Sequence, residues 1–386
     1  MLLHSSLRPG VRALRAAVMA VALAAVLPAV LPVAAAATTA AIPSAPAATS
    51  APPGAVTAAR LRPAVMARAA AQSVMLGAAT AGKRLVAVGE RGVVLLSDDQ
   101  GKTWNQAAVP TSVTLTAVRF TDDQHGVAVG HAGVILVTAD GGATWQRVLD
   151  GDRIATLALA AARSNGNEAA IRDAERLVAD GADKPLLDVC LLGGGRMLAV
   201  GAYGLALASA DGGRTWSSWL DRLDNPKGMH LNTVRQRGDT ILVGGERGLA
   251  LFSRDGGATF KRLPMPYQGS FFSAELPAAD TLVLAGLRGN VWRSTDNGTT
   301  WAQLAAPLPV TITASATRAD GSLLFANQAG MLLTARDNAL VPLAASHAPL
   351  PPLNGVLDLN NGTLLTLGVQ GVAMVPALAV AARSAP

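Results

Sequence analysis

Short apolar runs alternate with glycine-bounded polar turns along most of the chain. Residues 85–89 form one such run, the turn Gly89-Glu90-Arg91-Gly92 follows, and a second apolar run comes next. Apolar runs of this length, bounded by turn residues, are typical of buried β-strands. The Gly-x-x-Gly turn occurs seven times, and the sixth copy has asparagine in the first position. The first positions are Gly89, Gly130, Gly201, Gly245, Gly286, Asn327 and Gly368.

A second pattern, Ser/Thr-x-Asp-x-Gly-x-Thr-Trp/Phe, follows the turn in the first five repeats. The aspartate can fold its carboxylate onto nearby backbone N–H groups, and the glycine accepts a positive φ. The aromatic ring is then expected to cover the hairpin. These residues therefore predict structural corners rather than catalytic groups. They are Asp99, Trp104, Asp140, Trp145, Asp211, Trp216, Asp255, Phe260, Asp296 and Trp301.

The spacing of the turns predicts an all-β fold, a seven-bladed β-propeller of four-stranded antiparallel blades. The intervals are 41, 71, 44, 41, 41 and 41 residues, and a period near 41 is typical of one blade. The long interval leaves room for an insertion between blades 2 and 3, predicted over residues 150–184. Residues 61–68 are expected to supply the outer strand of the last blade, because a closed ring leaves no free sheet edge.

The insertion has apolar residues at helical spacing. Ile171, Ala174, Leu177 and Val178 share one stripe, and Gly181 is a plausible C-cap. Residues 154–162 have a similar, shorter stripe. The pattern predicts a helical hairpin beside or over the propeller mouth. The stripes either pack on the propeller or bind a partner, and the sequence leaves both interpretations open.

Residues 1–37 have the features of a secretory signal peptide: three arginines, then an apolar run that ends in alanines. An uncleaved anchor helix is the alternative, since the run is long enough to span a bilayer. Residues 38–60 are rich in Ala and Pro and are predicted to form a flexible linker. Residues 61–386 would then form the propeller, in the periplasm or outside the cell.

Charge and composition argue against several classes of function. Without the three arginines of residues 1–37 the net charge falls from +6 to +3, and the chain has no Lys/Arg run, so a nucleic-acid partner is not expected. His125, His131 and His230 match no zinc spacing, so no metal or other cofactor is predicted. Cys190 lies in an apolar segment and is interpreted as a buried hydrophobic residue.

At the repeated residues the chain resembles the Asp-box, or bacterial neuraminidase repeat, family. Over residues 69–380, the pairing of the Gly-x-x-Gly turn with the box more narrowly resembles the photosystem II stability and assembly factor-like propellers, which include periplasmic bacterial proteins. The sixth and seventh repeats lack the box, which is lost at residues 334–338 in the sixth. The resemblance implies that the turns and the loops between blades surround the channel on one face, with the boxes on the other.

This geometry would place one or more exposed residues of every turn on a common rim. Arginine has a planar fork of donors that suits carboxylates, and clustered arginines attract acidic peptides. The rim is therefore predicted to bind a protein; ordinary solvated turn residues are the alternative. The predicted partner-binding residues are Arg91, Arg247, Arg288, His131, Tyr203, Gln328 and Gln370. The loops between blades add weaker candidates, namely Lys227, His230, Tyr267, Phe271 and Phe272.

The predicted function is that of a monomeric, non-catalytic propeller that binds a membrane-protein segment. The resemblance implies a role in the assembly or stability of a membrane complex, with an exporter of the resistance-nodulation-division type as one candidate. The alternative is glycan binding or sialidase-like hydrolysis, which needs a tyrosine nucleophile paired with a glutamate. Tyr203 and Tyr267 are the only tyrosines, and neither has an evident glutamate partner. No catalytic residue or small-molecule substrate is predicted.

Overall fold

The computed structural model describes residues 58–343 and 350–376, and these residues form seven antiparallel sheets in chain order. Six sheets have four strands, and the described part of the seventh has three. The all-β, seven-bladed architecture predicted from the repeat is thereby confirmed. Residues 1–57, which include the predicted signal peptide and most of the predicted linker, lie outside the described residues.

The first three blades span residues 75–218. Blade 1 contains β1 (Met75–Ala81), β2 (Arg84–Gly89), β3 (Val94–Ser97) and β4 (Asn105–Gln106). Blade 2 contains β5 (Leu115–Phe120), β6 (Gly126–Gly130), β7 (Ile135–Thr138) and β8 (Gln146–Leu149). Blade 3 contains β9 (Leu186–Gly193), β10 (Arg196–Gly201), β11 (Ala206–Ser209) and β12 (Ser217–Ser218).

The remaining four blades span residues 231–376. Blade 4 contains β13 (Leu231–Arg237), β14 (Thr240–Gly245), β15 (Ala250–Ser253) and β16 (Lys261–Arg262). Blade 5 contains β17 (Phe271–Glu275), β18 (Leu282–Gly286), β19 (Val291–Ser294) and β20 (Ala302–Leu304). Blade 6 contains β21 (Ile312–Thr317), β22 (Leu323–Asn327), β23 (Leu332–Arg336) and β24 (Ala339–Pro342). Blade 7 contains β25 (Leu353–Asp358), β26 (Thr363–Gly368) and β27 (Gly371–Pro376).

The first strands form the inner ring of the propeller. Each contacts the first strand of the next blade, and β25 contacts β1, so the ring is closed. Every first strand has a β-bulge one residue after its start. The starting residue is apolar and at most 2% exposed in all seven blades, so each blade boundary has a buried anchor. These anchors are Met75, Leu115, Leu186, Leu231, Phe271, Ile312 and Leu353.

Polar side chains at the bulges join neighbouring blades. In four blades the residue after the anchor donates a hydrogen bond to the carbonyl of the next blade's anchor. A polar side chain in an apolar boundary needs such a partner, and each bond also fixes the offset between two blades. The bonds are Thr116 Oγ1 to Leu186 O (2.9 Å), Asn232 Nδ2 to Phe271 O (2.9 Å), Thr313 Oγ1 to Leu353 O (2.8 Å) and Asn354 Nδ2 to Met75 O (3.1 Å).

The expectation that residues 61–68 complete blade 7 is wrong. These residues lie along the outer edge of blade 1, where the backbone N–H of Ala64 donates to Val109 O at 2.9 Å. The Gln106 carboxamide also accepts from the Ala67 N–H (2.8 Å) and donates to Val65 O (3.0 Å). Because one side chain satisfies both backbone groups, the segment is held on β4. The ring is closed instead by contacts between the inner strands β25 and β1, which include the hydrogen bond from Asn354 to Met75 O.

The predicted helical hairpin is confirmed within the insertion. Helix α1 (Gly151–Ser164) and helix α2 (Glu168–Asp180) connect β8 to β9. The Asn167 side chain accepts from the Ala169 and Ala170 N–H groups at 3.1 Å and caps α2 at its start. Gly181 ends α2 with a φ of 80°, as the sequence predicted. No helix in the described ranges is long and apolar enough to span a membrane.

The apolar stripe of α1 packs on the propeller, and the apolar stripe of α2 packs largely on α1. Helix α1 inserts Ile154, which is 1% exposed, into the core between blades 2 and 3. Helix α2 packs largely on α1, around Ala158 and Ala174. Val178, which the sequence placed on the apolar stripe, is 46% exposed because it lies at the margin of this contact. The hairpin therefore extends the core of the propeller at one blade boundary.

Candidate protein-binding face

The loops alternate between two faces of the propeller. In six of the seven blades the Gly-x-x-Gly turn bonds to the residue just before the first strand of its own blade, as when the Glu90 N–H donates to Val74 O at 2.9 Å. The boxes bond instead to the hairpin between the first two strands, as when the Gly256 N–H donates to Asp239 O at 2.9 Å. We call the first side the turn face and the second the box face.

The boxes are closed hydrogen-bonded corners. In the first box, Asp99 Oδ1 accepts from Ser97 Oγ (2.8 Å) and the Thr103 N–H (2.9 Å), and Asp99 Oδ2 accepts from Thr103 Oγ1 (2.6 Å). The Trp104 indole N–H donates to Gly101 O at 3.2 Å. The bonds from Thr103 lower the pKa of Asp99 to about 2. The carboxylate is thus committed to the turn and is a poor candidate for proton transfer.

All seven residues predicted for the rim are exposed, but they occupy two different positions of the turn. Arg91, Tyr203, Arg247 and Arg288 are at the second variable position, with φ between 53° and 56°. Gln370 is also at this second position, whereas His131 and Gln328 are at the first. A positive φ is uncommon for residues with a Cβ, so the same backbone shape recurs in the turns and aims these side chains alike. The partner-binding role of all seven remains a prediction.

The three rim arginines are free to contact a ligand. With the described residues, none of Arg91, Arg247 and Arg288 forms an ion pair or a side-chain hydrogen bond. The glutamates beside two of them are occupied elsewhere: Glu90 accepts from the Val74 N–H and Glu246 from the His230 N–H, both at 3.0 Å. The guanidinium donors of the three arginines thus have no partner among the described side chains and are available to an anionic ligand.

The structure brings the predicted rim residue Tyr203 together with His230, a candidate from the loops between blades, across the boundary between blades 3 and 4. The Tyr203 ring is 57% exposed and lies 5.0 Å from the His230 ring. Lys184 Nζ lies 5.0 Å from the centre of the Tyr203 ring, on a side chain that is 9% exposed. His230 Nδ1 is 3.1 Å from Glu246, the residue before Arg247. An exposed ring of this kind, beside a free arginine, suits a protein contact.

A shallow groove lies beside Arg247, between the turn of blade 4 and the loop that leads to blade 5. Its volume of about 290 Å³ is enough for one or two side chains of a bound peptide. The nearby Tyr267 belongs mainly to the core, because its ring packs on Phe271 at 5.4 Å and its hydroxyl donates to Leu287 O at 3.2 Å. The groove is lined by Gly248, Arg262, Leu263, Pro264, Met265 and Gln268.

Sequence reasoning missed a set of charged and hydroxyl side chains on the first strands of blades 2 to 7, which we call the channel belt. Asp188 Oδ1 accepts from Arg119 Nη2 (3.0 Å), and Asp188 Oδ2 accepts from Arg235 Nη1 (2.5 Å). Glu275 continues the belt by accepting from Ser315 and Thr317 (2.9 and 2.8 Å). The members are Arg119, Asp188, Arg235, Glu275, Ser315, Thr317, Arg318 and Asp358.

Alignment of the first strands would have revealed part of the belt. Arg119, Arg235 and Glu275 each lie four residues after the anchor of their strand, a position where an alternating buried strand should be apolar. Burial alone raises the pKa of Asp188, but Arg235 and Arg119 outweigh burial and hold that pKa below its ordinary value. The belt therefore consists of compensated charges that join blades.

Within the described residues, the arrangement lacks the tyrosine–glutamate pair of a sialidase. The Tyr267 hydroxyl donates to a backbone carbonyl, and the Tyr203 ring lies against His230 and Lys184. Neither hydroxyl is bonded to a described carboxylate. No group of three or more metal-ligating side chains occurs in the same part of the chain.

These features define a class, the seven-bladed propeller with Asp-box corners on one face and Gly-x-x-Gly turns on the other. Residues 96–184 and 176–330 match the family of photosynthesis system II assembly factor YCF48. Because the match covers more than half of the chain, the chain belongs to this family. Among curated proteins, none matches this chain significantly in sequence.

Solved structures share the fold at low sequence identity. YCF48 bound to a D1 peptide is 15% identical with a TM-score of 0.58, and the match covers 82% of this chain and 96% of that one. YCF48 from Cyanidioschyzon merolae gives the same identity and TM-score, with 79% and 96% covered. The WD40 repeats of RRP9 are 9% identical with a TM-score of 0.59, covering 79% and 94%. At such identities the likeness extends to the fold alone.

Proposed function

We propose that this chain is a non-catalytic propeller that holds a segment of a membrane protein on its turn face while a membrane complex assembles. The observation that carries the proposal is the trio Arg91, Arg247 and Arg288, which is exposed, unpaired with the described residues, and repeated at one position of three turns. Guanidinium groups in fixed turns suit the carboxylates of an acidic or C-terminal peptide.

Two further observations support a peptide ligand. A protein of this family has been solved with a D1 peptide, so the fold can present a peptide-binding surface. The turn face also offers the exposed Tyr203 ring and the groove beside Arg247, which give a peptide apolar contacts next to the charges. Exposed aromatic and arginine side chains are the usual hot spots of protein interfaces.

The proposal also covers the cellular compartment in which the propeller works and the membrane complex that it binds. Residues 1–37 support export, since arginines precede an apolar run that ends in small residues. The propeller would then work in the periplasm or outside the cell as a monomer. An exporter of the resistance-nodulation-division type is the candidate membrane complex, as the resemblance to the periplasmic bacterial proteins of this kind suggests.

Affinity capture from a detergent extract of the source membranes tests this function. The full chain is expected to retain one membrane protein, and a peptide with the sequence of its bound segment should compete. The matched variant pair is Arg91, Arg247 and Arg288 changed to Ala, and Arg172, Arg176 and Arg254 changed to Ala, since the second set is also exposed but lies outside the Gly-x-x-Gly turns. Equal capture by both variants would show that Arg91, Arg247 and Arg288 do not bind the partner.

A further inference from the structure

Residues 58–68, which we call the strap, lie on the outer edge of blade 1. Two backbone hydrogen bonds hold the strap on either side of Val65 and Met66. The Ala64 N–H donates to Val109 O at 2.9 Å, and the Ala67 N–H donates to Gln106 Oε1 at 2.8 Å. The Gln106 Nε2 also donates to Val65 O at 3.0 Å. The path of the strap is therefore set by main-chain bonds together with the packing of the small Ala59 and Ala64 side chains on the core.

The apolar side chains of the strap face solvent. Leu61 is 46% exposed, Val65 is 74% exposed and Met66 is 58% exposed. Three of the ten exposed large hydrophobic residues in the described part of the chain thus fall within six positions. The bonds at Ala64 and Ala67 prevent the intervening residues from turning inward. Clustered exposed apolar side chains usually mark an interaction surface.

The strap is also basic. Arg62 and Arg68 are exposed, and neither forms an ion pair with the described residues. The turn that holds Arg91 is adjacent, because a Cβ on Gly92 would lie 3.2 Å from the Ala64 Cβ. The acidic residues of this region are engaged: Glu90 accepts from a backbone N–H, and Asp150 and Asp152 pair with Arg60. Arg62 and Arg68 are therefore the unpaired charges of the strap, one on either side of Val65 and Met66.

We propose that the strap is a membrane-surface site, in which Leu61, Val65 and Met66 enter the interface of an anionic bilayer while Arg62 and Arg68 contact lipid phosphates. Apolar side chains flanked by arginines bind favourably at the boundary between lipid headgroups and acyl chains. The Ala64 N–H, the Val65 carbonyl and the Ala67 N–H are already bonded to blade 1, so these groups are not available to pair with the strand of a protein partner. This site adjoins the Arg91 turn of the proposed peptide-binding rim but shares no residue with that rim.

A fluorescent label on the strap tests this inference in the full chain. The variant Met66→Cys is labelled with an environment-sensitive dye. The native Cys190 is 5% exposed and burial raises its thiol pKa to about 12, so it should stay unlabelled. Val178→Cys, at another exposed apolar position, is the matched control. Equimolar phosphatidylglycerol and phosphatidylcholine vesicles should shift the emission of the Met66 label to shorter wavelength, and pure phosphatidylcholine vesicles and the control should give little change.

Removal of charge completes the test. Arg62→Gln with Arg68→Gln should raise the lipid concentration for half-maximal shift about 30-fold, because each basic residue near an anionic surface contributes roughly a five- to sixfold factor and the two factors multiply. The proposal is overturned by no shift at Met66, by equal shifts in the two vesicle types or at the two labels, or by a shift that the charge change leaves intact. Equal capture by the two triple-arginine variants, with the shift at Met66 retained, would reject the arginine rim alone.

Discussion

Asp188 on β9 and Arg235 on β13 meet across the boundary between blades 3 and 4, with Arg235 Nη1 donating to Asp188 Oδ2 at 2.5 Å. The same carboxylate oxygen accepts from Thr233 Oγ1 (3.2 Å) and the Val234 N–H (3.1 Å), and the other oxygen accepts from Arg119 on blade 2. One buried carboxylate therefore joins three consecutive blades.

Removing this charge should destabilise the propeller. Asp188→Asn leaves Arg119, which is 28% exposed, without a carboxylate and leaves Arg235, which is 24% exposed, with Glu275 alone at 3.7 Å. Breaking such a buried pair typically costs about 3 kcal/mol or more. Urea unfolding would measure the loss. Asp123→Asn changes an exposed carboxylate on a hairpin and should stay within about 0.5 kcal/mol. Similar midpoints and slopes for the two variants would show that the channel belt does not hold the blades together.

The bond that closes the ring should protect one blade boundary locally. Asn354→Ala removes the hydrogen bond to Met75 O, and loss of one such bond costs about 1 kcal/mol. We expect faster amide hydrogen exchange in β1 and β25 than in the other inner strands. Asn105→Ala, an exposed change on β4, is the control. Uniform acceleration over all seven blades would mean that this boundary is not a separate point of opening.

Protonation of the box aspartates should destabilise the fold at low pH. Hydrogen bonds from threonine lower the pKa of Asp99 and Asp296 to about 2, below the ordinary value near 4. A carboxylate with a lowered folded-state pKa stabilises the fold above its unfolded pKa and loses this contribution as the pH falls through the folded value. The thermal midpoint should therefore drop between pH 4 and pH 2. Asp99→Asn should show a smaller drop, and an unchanged drop would contradict the assignment.

Sialidase activity should be absent. Tyr203 lies against His230 and Lys184, and Tyr267 donates to a backbone carbonyl, so neither is paired with a described glutamate that could activate it. A fluorogenic sialoside incubated with the full chain is expected to release no product above buffer. Turnover that disappears in Tyr203→Phe or Tyr267→Phe would identify a glycoside hydrolase and reject the binding function.

The sequence predicted those parts of the fold that repeat. The boxes and turns gave seven blades because each copy makes the same local bonds, as at Asp99 and its four equivalents. Gly181 was likewise predictable, since a helix end requires its own local backbone shape. The path of residues 61–68 was not, because it depends on the carboxamide of Gln106, which is remote in sequence.

The site was predicted less completely than the fold. The exposure of Arg91, Arg247 and Arg288 followed from their place in the turns, whereas the contact between Tyr203 and His230 depends on how two blades pack. The channel belt was missed for the same reason. The donors to Asp188 lie on blades 2 and 4, and no local pattern in one strand specifies partners 47 or 69 residues away.

The most direct test of the account is the dissociation constant of the captured membrane-protein segment for the full chain and for the two triple variants. Changing Arg91, Arg247 and Arg288 to Ala should weaken binding on the order of 100-fold, since truncating an interface arginine often costs about 1 kcal/mol or more. The thermal midpoint should stay within a few degrees, because the three side chains are exposed. Changing Arg172, Arg176 and Arg254 should leave the constant unchanged. A constant that is the same for both variants would contradict binding through the turn face.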